Sequence, residues 1–301
     1  MTVIAGPWRL ARGAPGWPGR LEHLEAPPVA LWVRGALPPS DAPCVAVVGS
    51  RRAAPGALLT ARDIALDLAA AGIIVISGLA RGVDAAAHRG ALLGNGVTIA
   101  VLGCGIDLCY PPEHLDLRDR IASAGGVLSE DGGAEPPAGW RFPRRNRLIA
   151  ALAEAVVVVE ATARSGALST ARWAADLGRE VLAVPGSIRS ASSVGTNLLI
   201  RDGVRPFLSI ADLFEAAPQL RRSMAAETAV RPLLDGDVPA LQEGQSVLSL
   251  VLGQLGADPV HPDDLAAALG LGMATLATAL TTLQLRGAIT DVCGGRVART
   301  F

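Results

Sequence analysis

From residue 45 to residue 208 the chain alternates short β-branched and apolar runs with longer Ala/Leu-rich stretches. That is the pattern of a parallel sheet covered by helices on both faces. Strands are predicted at Val45–Val48, Ile73–Ser77, Thr98–Leu102, Gly126–Ser129, Ala155–Glu160 and Val181–Val184, and the first helix runs from about Ala57 to Ala71. Such folds bind ligands beyond the carboxyl ends of their strands, so the loops of interest start at Gly49, Gly78, Gly103, Glu130, Ala161 and Pro185. From Ala217 to Gly244 the text turns polar and is punctuated by Pro218, Pro232 and Pro239, as in a linker. Helical patterns then follow at Ser246–Gly256, Pro262–Gly270 and Ala274–Arg286, with a hairpin at Ala288–Val292 and Arg296–Arg299. Three helices and a two-stranded wing outline a winged-helix domain. The expected class is α/β, a doubly wound and mostly parallel sheet at residues 45–216. An N-terminal extension covers 1–44, a linker 217–244, and a winged-helix-like domain 245–301.

Composition changes this picture in one respect. The 301 residues carry 27 basic and 28 acidic side chains for a net charge of −1, and every basic residue is arginine. That excludes a polybasic coat or an acidic disordered chain. Residues 45–207 nevertheless hold 17 Arg against 15 acids, whereas residues 208–244 hold three Arg against six. The putting together of charge and length, with half the residues hydrophobic, describes a globular chain of about two domains. The apolar stretches at Ala71–Leu79 and Ala150–Ala161 fall short of the roughly twenty residues of a membrane span. Pro7, Gly13, Pro15 and Gly16 interrupt the N-terminus before a signal peptide could form. A cytoplasmic protein with no membrane association is expected. Cys44, Cys104, Cys109 and Cys293 include no C-x-x-C pair and read as buried thiols, with no metal site and no disulfide framework.

Four loops carry candidate chemistry. Gly49-Ser50-Arg51-Arg52 ends a strand and leads through Pro55 into a helix. Glycine admits a close ligand, the helix start offers free N–H groups, and arginine adds a planar donor fork. A plain βα turn with surface arginines is the competing reading. Neither G-x-G-x-x-G nor a P-loop is present, so no nucleotide cofactor is expected. Ser77 to Asp84, with Arg81 and then His88, reads either as a second ligand loop or as a capping Asp beside a half-buried His. Trp140-Arg141-Phe142-Pro143-Arg144-Arg145-Asn146-Arg147 places four arginines around two aromatic residues. Guanidinium groups grip phosphates, and an aromatic face accepts any unstacked base. A solvated basic turn would account for the charge but not for the aromatics. Arg164-Ser165-Gly166, followed by Thr170, opens another helix and can hold an anion. Ser165 as a nucleophile lacks both the G-x-S-x-G elbow and an evident base, so no catalytic residue is assigned.

Taken in order, these motifs resemble the DprA/Smf family of DNA-processing proteins. The resemblance rests on Gly49-Ser50-Arg51, on Ser77 to Asp84 with His88, and on Gly103-Cys104-Gly105 with Asp107 and Tyr110-Pro111. It also rests on Phe142 to Arg147, on Ser165-Gly166-Ala167-Leu168 with Thr170-Ala171, and on Pro185-Gly186 through Gly195-x-Asn197. It implies an extended Rossmann-like domain that binds single-stranded DNA, forms a homodimer, protects incoming DNA and helps load the RecA recombinase in natural transformation. The resemblance implies a DNA-binding set of Gly49, Ser50, Arg51, Arg81, Phe142, Arg144, Arg145, Asn146, Arg147, Arg164, Ser165, Gly166, Thr170 and Asn197. Within it, Arg51, Arg145, Asn146 and Arg147 would face phosphates and Phe142 a base. Arg164 stands where the family usually has Lys.

If Arg51, Arg145, Arg147 and Arg164 neutralise about four phosphates, log K should fall with log salt at a slope of roughly −3. The expected recognition helix of the C-terminal domain, Ala274 to Leu285, has no basic residue. That domain is therefore expected to contact protein or to modulate DNA binding. The alternative is a nucleotide-binding or nucleotide phosphoribohydrolase-like Rossmann enzyme. It needs a P-G-G-x-G-T-x-x-E run, whereas the chain offers Val184-Pro185-Gly186-Ser187-Ile188-Arg189.

Overall fold

Cys44–Val48 and Ala155–Val158 are buried at every residue, so their sequences run apolar without alternation, as strands covered on both faces do. The computed structural model describes residues 6–221, 260–285, 289–292 and 296–299, with residues 251, 254 and 255. In chain order it contains β1 (Trp8–Ala11), β2 (Ala30–Gly35), β3 (Cys44–Val48), α1 (Pro55–Ala70), β4 (Ile74–Ser77), α2 (Val83–Leu93), β5 (Thr98–Val101), α3 (Leu115–Ala124) and β6 (Gly126–Ser129). There follow α4 (Arg141–Leu152), β7 (Ala155–Val158), α5 (Ala167–Asp176), β8 (Glu180–Ala183), α6 (Val194–Arg201), β9 (Arg205–Pro206) and α7 (Ile210–Ala216).

The strands form one sheet in the order β1-β2-β6-β5-β4-β3-β7-β8-β9. Neighbours from β6 through β9 pair in parallel, as in Val45 opposite Ala155 and Ile76 opposite Ile99. The α/β class and the mostly parallel sheet expected from patterning are both present. Two antiparallel strands from the first 44 residues, β1 and β2, extend this sheet beyond β6. In β2 only Leu31 and Val33 are fully buried between half-exposed Trp32 and Arg34. Such alternation gives a weaker signal than the unbroken apolar runs of the sheet centre.

Alternate residues of β3 serve the two faces. Val45 and Val47 pack with Ile64, Leu68, Ala87 and Leu213 of α1, α2 and α7. Ala46 and Val48 pack with Leu148, Ile149, Ala171 and Ala174 of α4 and α5. Removing the side chain of a buried leucine such as Leu68 or Leu148 would cost about 2–5 kcal/mol. Pro55 opens α1, where its missing N–H has no helical partner to lose. From β3 the chain winds outward through β4, β5 and β6, and α4 then returns it to β7 on the other side of β3. The winding reverses between β3 and β7, which is where such sheets form a crevice at their carboxyl ends.

The chain divides into two compact units, residues 1–231 and 232–301. In the second, α8 (Pro262–Leu269) and α9 (Met273–Leu285) precede an antiparallel hairpin of β10 (Ile289–Val292) and β11 (Arg296–Arg299). Leu265, Leu276, Leu283, Ile289 and Val297 form its core. The helix expected at Ser246–Gly256 lies outside the described residues except for positions 251, 254 and 255.

Candidate functional site

A cleft of about 560 Å³ opens where the winding reverses, lined by the β3–α1 turn, the loop before α5 and the first residues of α4. The turn is built on Gly49: a Cβ there would lie 2.7 Å from Val83 and 2.9 Å from the Glu160 carbonyl oxygen. Ser50 then ties three segments together. Its N–H donates to the Glu160 carbonyl at 2.7 Å, its carbonyl accepts from Val83 N–H at 3.2 Å, and its hydroxyl accepts from Arg52 N–H at 3.1 Å. The buried Glu160 carboxylate accepts from Ala54 N–H at 3.2 Å and from the Ser192 hydroxyl at 2.9 Å. So anchored, the turn projects Arg51 and Arg52 outward, both exposed.

Phe142 stands across the cleft. The guanidinium carbon of Arg51 lies 4.6 Å from its ring centroid, and the Tyr110 ring lies 5.8 Å away at 38°. Gly103 makes this seat possible, because a Cβ there would come 2.7 Å from Phe142 Cδ1. Beyond Phe142 and Arg51 a second cavity of about 210 Å³ shares those two residues with the cleft.

The arginines of α4 are not equivalent. Arg145 is buried and donates from Nη1 to the Gly78 carbonyl at 2.7 Å and to the Val101 carbonyl, at the ends of β4 and β5. Burial lowers its pKa to about 10, so it remains a cation at neutral pH. The Asn146 amide donates to the Gly166 carbonyl at 3.2 Å and the Ser169 hydroxyl at 2.8 Å, fastening α4 to the start of α5. Arg147 pairs with Glu130 at 2.5 Å and donates to the Ala26 carbonyl at 3.0 Å. Arg144 pairs with Glu130 at 3.1 Å and Asp131 at 3.6 Å. Arg145 lines both cavities from a buried position, and Arg147 is committed to an acid. Neither is an exposed, unpaired cation as Arg51 is.

The remaining predicted residues also separate. Thr170, Ser165 and Gly166 line the cleft, and the Ser165 hydroxyl accepts from Ala167 N–H at 3.3 Å. Arg164 is exposed between lining residues without being part of the lining. Arg81 lines the second cavity and pairs with Glu113. Asn197 lies outside the cleft lining, and its amide group brackets Gly186 with bonds of 3.1 and 3.0 Å. Arg51, Arg52 and Arg164 have no carboxylate partner among the described residues. Sequence reading assigned no role to Arg52, although it adjoins Arg51, nor to Tyr110, although it stands in a quoted motif.

Behind the cleft lies a sealed polar network. The buried Asp84 carboxylate accepts from Gly78 N–H at 3.1 Å and Ala80 N–H at 3.3 Å, and burial raises its pKa against the pull of Arg145. This holds a loop in which Leu79 adopts a left-handed φ of 57° with its side chain buried. His88 Nδ1 lies 2.7 Å from the Thr98 hydroxyl, which donates to the Val75 carbonyl at 2.8 Å. The hydroxyl proton being used, His88 carries its proton on Nδ1. Burial lowers the His88 pKa to about 3. His88 is thus a buried structural histidine. Among the described residues no cluster of His, Cys, Asp and Glu could hold a metal ion, and no helix is long and apolar enough to cross a membrane. Cys44 and Cys104 are buried and Cys109 half-buried, while Cys293 lies outside the described residues.

Comparison with known proteins gives concordant matches. The family model for DNA recombination-mediator protein A matches residues 8–218, and that for the DprA winged helix domain matches residues 237–295. A DNA processing protein DprA of Mycobacterium tuberculosis is 39% identical over 262 residues, covering 86% of this chain and 66% of the relative. The chain thus spans just under two thirds of that relative's length. DprA of Streptococcus pneumoniae is 41% identical over 189 residues, covering 63% of this chain and 67% of that protein. Its X-ray structure superposes with a TM-score of 0.65 at 37% identity, covering 71% of this chain and 74% of the other. A structure of DNA processing protein A from Helicobacter pylori, solved to describe that protein's single-stranded DNA binding mode, gives a TM-score of 0.62 at 28% identity. It covers 71% of this chain and 96% of the other.

Proposed function

The chain belongs to the DNA recombination-mediator protein A family, also called DprA or Smf, and on that premise we propose that its sheet domain binds single-stranded DNA in the cleft between β3 and β7. The carrying observation is an aromatic face set among unpaired cations: Phe142 under Arg51, with Arg52 beside it and Arg164 at the rim. Guanidinium forks hold phosphates, and the ring stacks on a base without reading its identity. In this reading Gly49 and Ser50 hold the turn that presents Arg51 and Arg52. Ser165 and Thr170 offer hydroxyl groups to a phosphate at the start of α5, where Gly166 also lines the cleft. Arg81 extends the rim, Arg145 and Asn146 frame the walls, and Arg144, Arg147 and Asn197 hold the surrounding loops.

Binding rather than catalysis suits these groups. The Ser165 hydroxyl is occupied by a backbone N–H, His88 is sealed, and His114 is buried against the Leu79 carbonyl at 2.9 Å. Family membership supports the wider roles: protection of an incoming strand, assistance in loading RecA, action as a homodimer, and a cytoplasmic setting. The test is titration of the full chain with labelled single-stranded and blunt duplex oligonucleotides of one sequence at two salt concentrations. Salt-sensitive preference for the single strand is expected; equal affinity for the duplex overturns the proposal.

A further inference from the structure

We propose that Trp140 is a stacking platform outside the cleft, which takes one base of the strand as it passes over the rim and so lengthens the site beyond the cavities. The inference rests on the reading of the cleft as a single-strand site and adds a contact on its outer edge. The chain has five tryptophans. Trp17 is buried, Trp32 and Trp173 pack half-buried against the core, and Trp8 donates its indole N–H to the Gly35 carbonyl at 3.4 Å. Trp140 differs from these in being 60% exposed and in lining neither cavity. Gly139 before it and Phe142 after it both line the cleft, so Trp140 stands at the rim.

The ring is also held in place. Trp140 immediately precedes α4, and the guanidinium carbons of Arg141 and Arg144 lie 4.8 and 5.8 Å from its ring centroid. Both arginines are themselves tied down. Arg141 pairs with Asp131 at 2.5 Å and Glu135 at 2.9 Å, and Arg144 pairs with Glu130 at 3.1 Å and Asp131 at 3.6 Å. A side chain ordered before binding loses little freedom on binding, so more of the stacking energy remains as affinity. A large aromatic face left in water gains by being covered, and a base covers it whatever its identity. Charge sets this contact apart from Arg51 and Arg52. The two cations beside Trp140 are already matched by acids, so a strand gains stacking here without a net phosphate attraction. One residue separates Trp140 from Phe142, which puts their Cα atoms at most about 7 Å apart. Neighbouring nucleotides of one strand can therefore reach both rings.

The experiment uses the full chain, an oligothymidine dodecamer, and a dodecamer of the same charge in which every base is replaced by an abasic sugar. Binding is followed by the chain's own tryptophan fluorescence and by the anisotropy of a labelled strand. The thymidine strand should quench the tryptophan emission of the unaltered chain, and Trp140→Phe should abolish the quenching while keeping a ring for the base. Trp140→Ala is expected to weaken binding of the thymidine strand about 5- to 150-fold, the loss of one stacked base, with the salt slope unchanged. Neither variant should change the abasic strand's affinity. Quenching that persists in Trp140→Phe, full affinity of Trp140→Ala, or an equal loss on the abasic strand overturns the platform. If the unaltered chain does not bind the thymidine strand at all, the reading of the cleft itself falls.

Discussion

The Arg51 guanidinium covers the face of Phe142 at 4.6 Å, so the ring that would receive a base already carries a cation from its own chain. Such a contact at an exposed site is worth about 0.5–1 kcal/mol, whereas a stacked base is worth about 1–3 kcal/mol. On the proposed single-strand reading a base would take the face, and Arg51 would turn toward the neighbouring phosphate. Ring and cation would then separate by their salt dependence. Phe142→Ala should weaken single-strand binding by about 1–3 kcal/mol with an unchanged salt slope. Arg51→Ala should make the slope shallower by about 0.7. Anisotropy titrations across a salt series read both; a Phe142→Ala variant of full affinity would place that ring in the core instead.

Gly103 is expected to matter through Phe142 alone. A methyl group 2.7 Å from Cδ1 displaces the ring, so Gly103→Ala should reproduce the affinity loss of Phe142→Ala. The double variant should then lose no more than either single one, because residues in contact act non-additively. Additive losses would show that Gly103 serves another purpose.

The total salt slope should be near −2. At the cleft, three arginines stand free of acids among the described residues, Arg51, Arg52 and Arg164, and each neutralised phosphate contributes about −0.7 on a single strand. This is shallower than the roughly −3 expected from counting Arg145 and Arg147 as contacts. A measured slope of −3 or steeper would mean that strand binding breaks the Glu130 pairs.

Neutralising Glu130 should trade stability for affinity. It binds Arg147 at 2.5 Å and Arg144 at 3.1 Å, and both it and Arg147 are mostly buried. Glu130→Gln keeps an acceptor but removes the charge. Thermal unfolding should show a loss of about 1–3 kcal/mol, while leaving Arg144 with Asp131 as its one acid should steepen the salt slope by up to about 0.7. Unchanged binding would show that Arg144 cannot reach the strand.

Acid should destabilise the sheet domain through His88. Its folded pKa of about 3 lies below the ordinary 6.5, so between those values the unfolded chain binds the extra proton. Stability is then lost as pH falls from about 6.5, by up to about 1.4 kcal/mol per pH unit. Asp84 works in the opposite sense, since burial raises its pKa and stabilisation from its proton fades as pH rises. His88→Asn retains a donor for Thr98 and cannot titrate. Chemical denaturation at several pH values should show this variant's curve flatter by about one proton, and identical curves would refute the assignment.

Local patterning determined the sheet centre. Val45–Val48, Gly126–Ser129 and the other apolar runs mark β3 through β8 to within about two residues at either end, because burial on both faces leaves its signature in consecutive residues. It also located the loops that line the cleft, since a parallel sheet puts its turns from strand to helix at one edge. Gly49 to Arg51, Phe142 and Ser165 with Gly166 were legible in that way. Only the tertiary structure decided which arginines are free. Arg144, Arg145 and Arg147 read alike beside Arg51 in one dimension, yet Glu130 and Asp131 reach the first and last from another loop, and two strand-end carbonyls take the middle one. Likewise Tyr110 and Gly103 acquire a role only where Phe142 meets them. Hydrophobic periodicity is a property of neighbouring residues, whereas an ion pair or a chamber wall depends on separations of a few ångströms between loops distant in the chain.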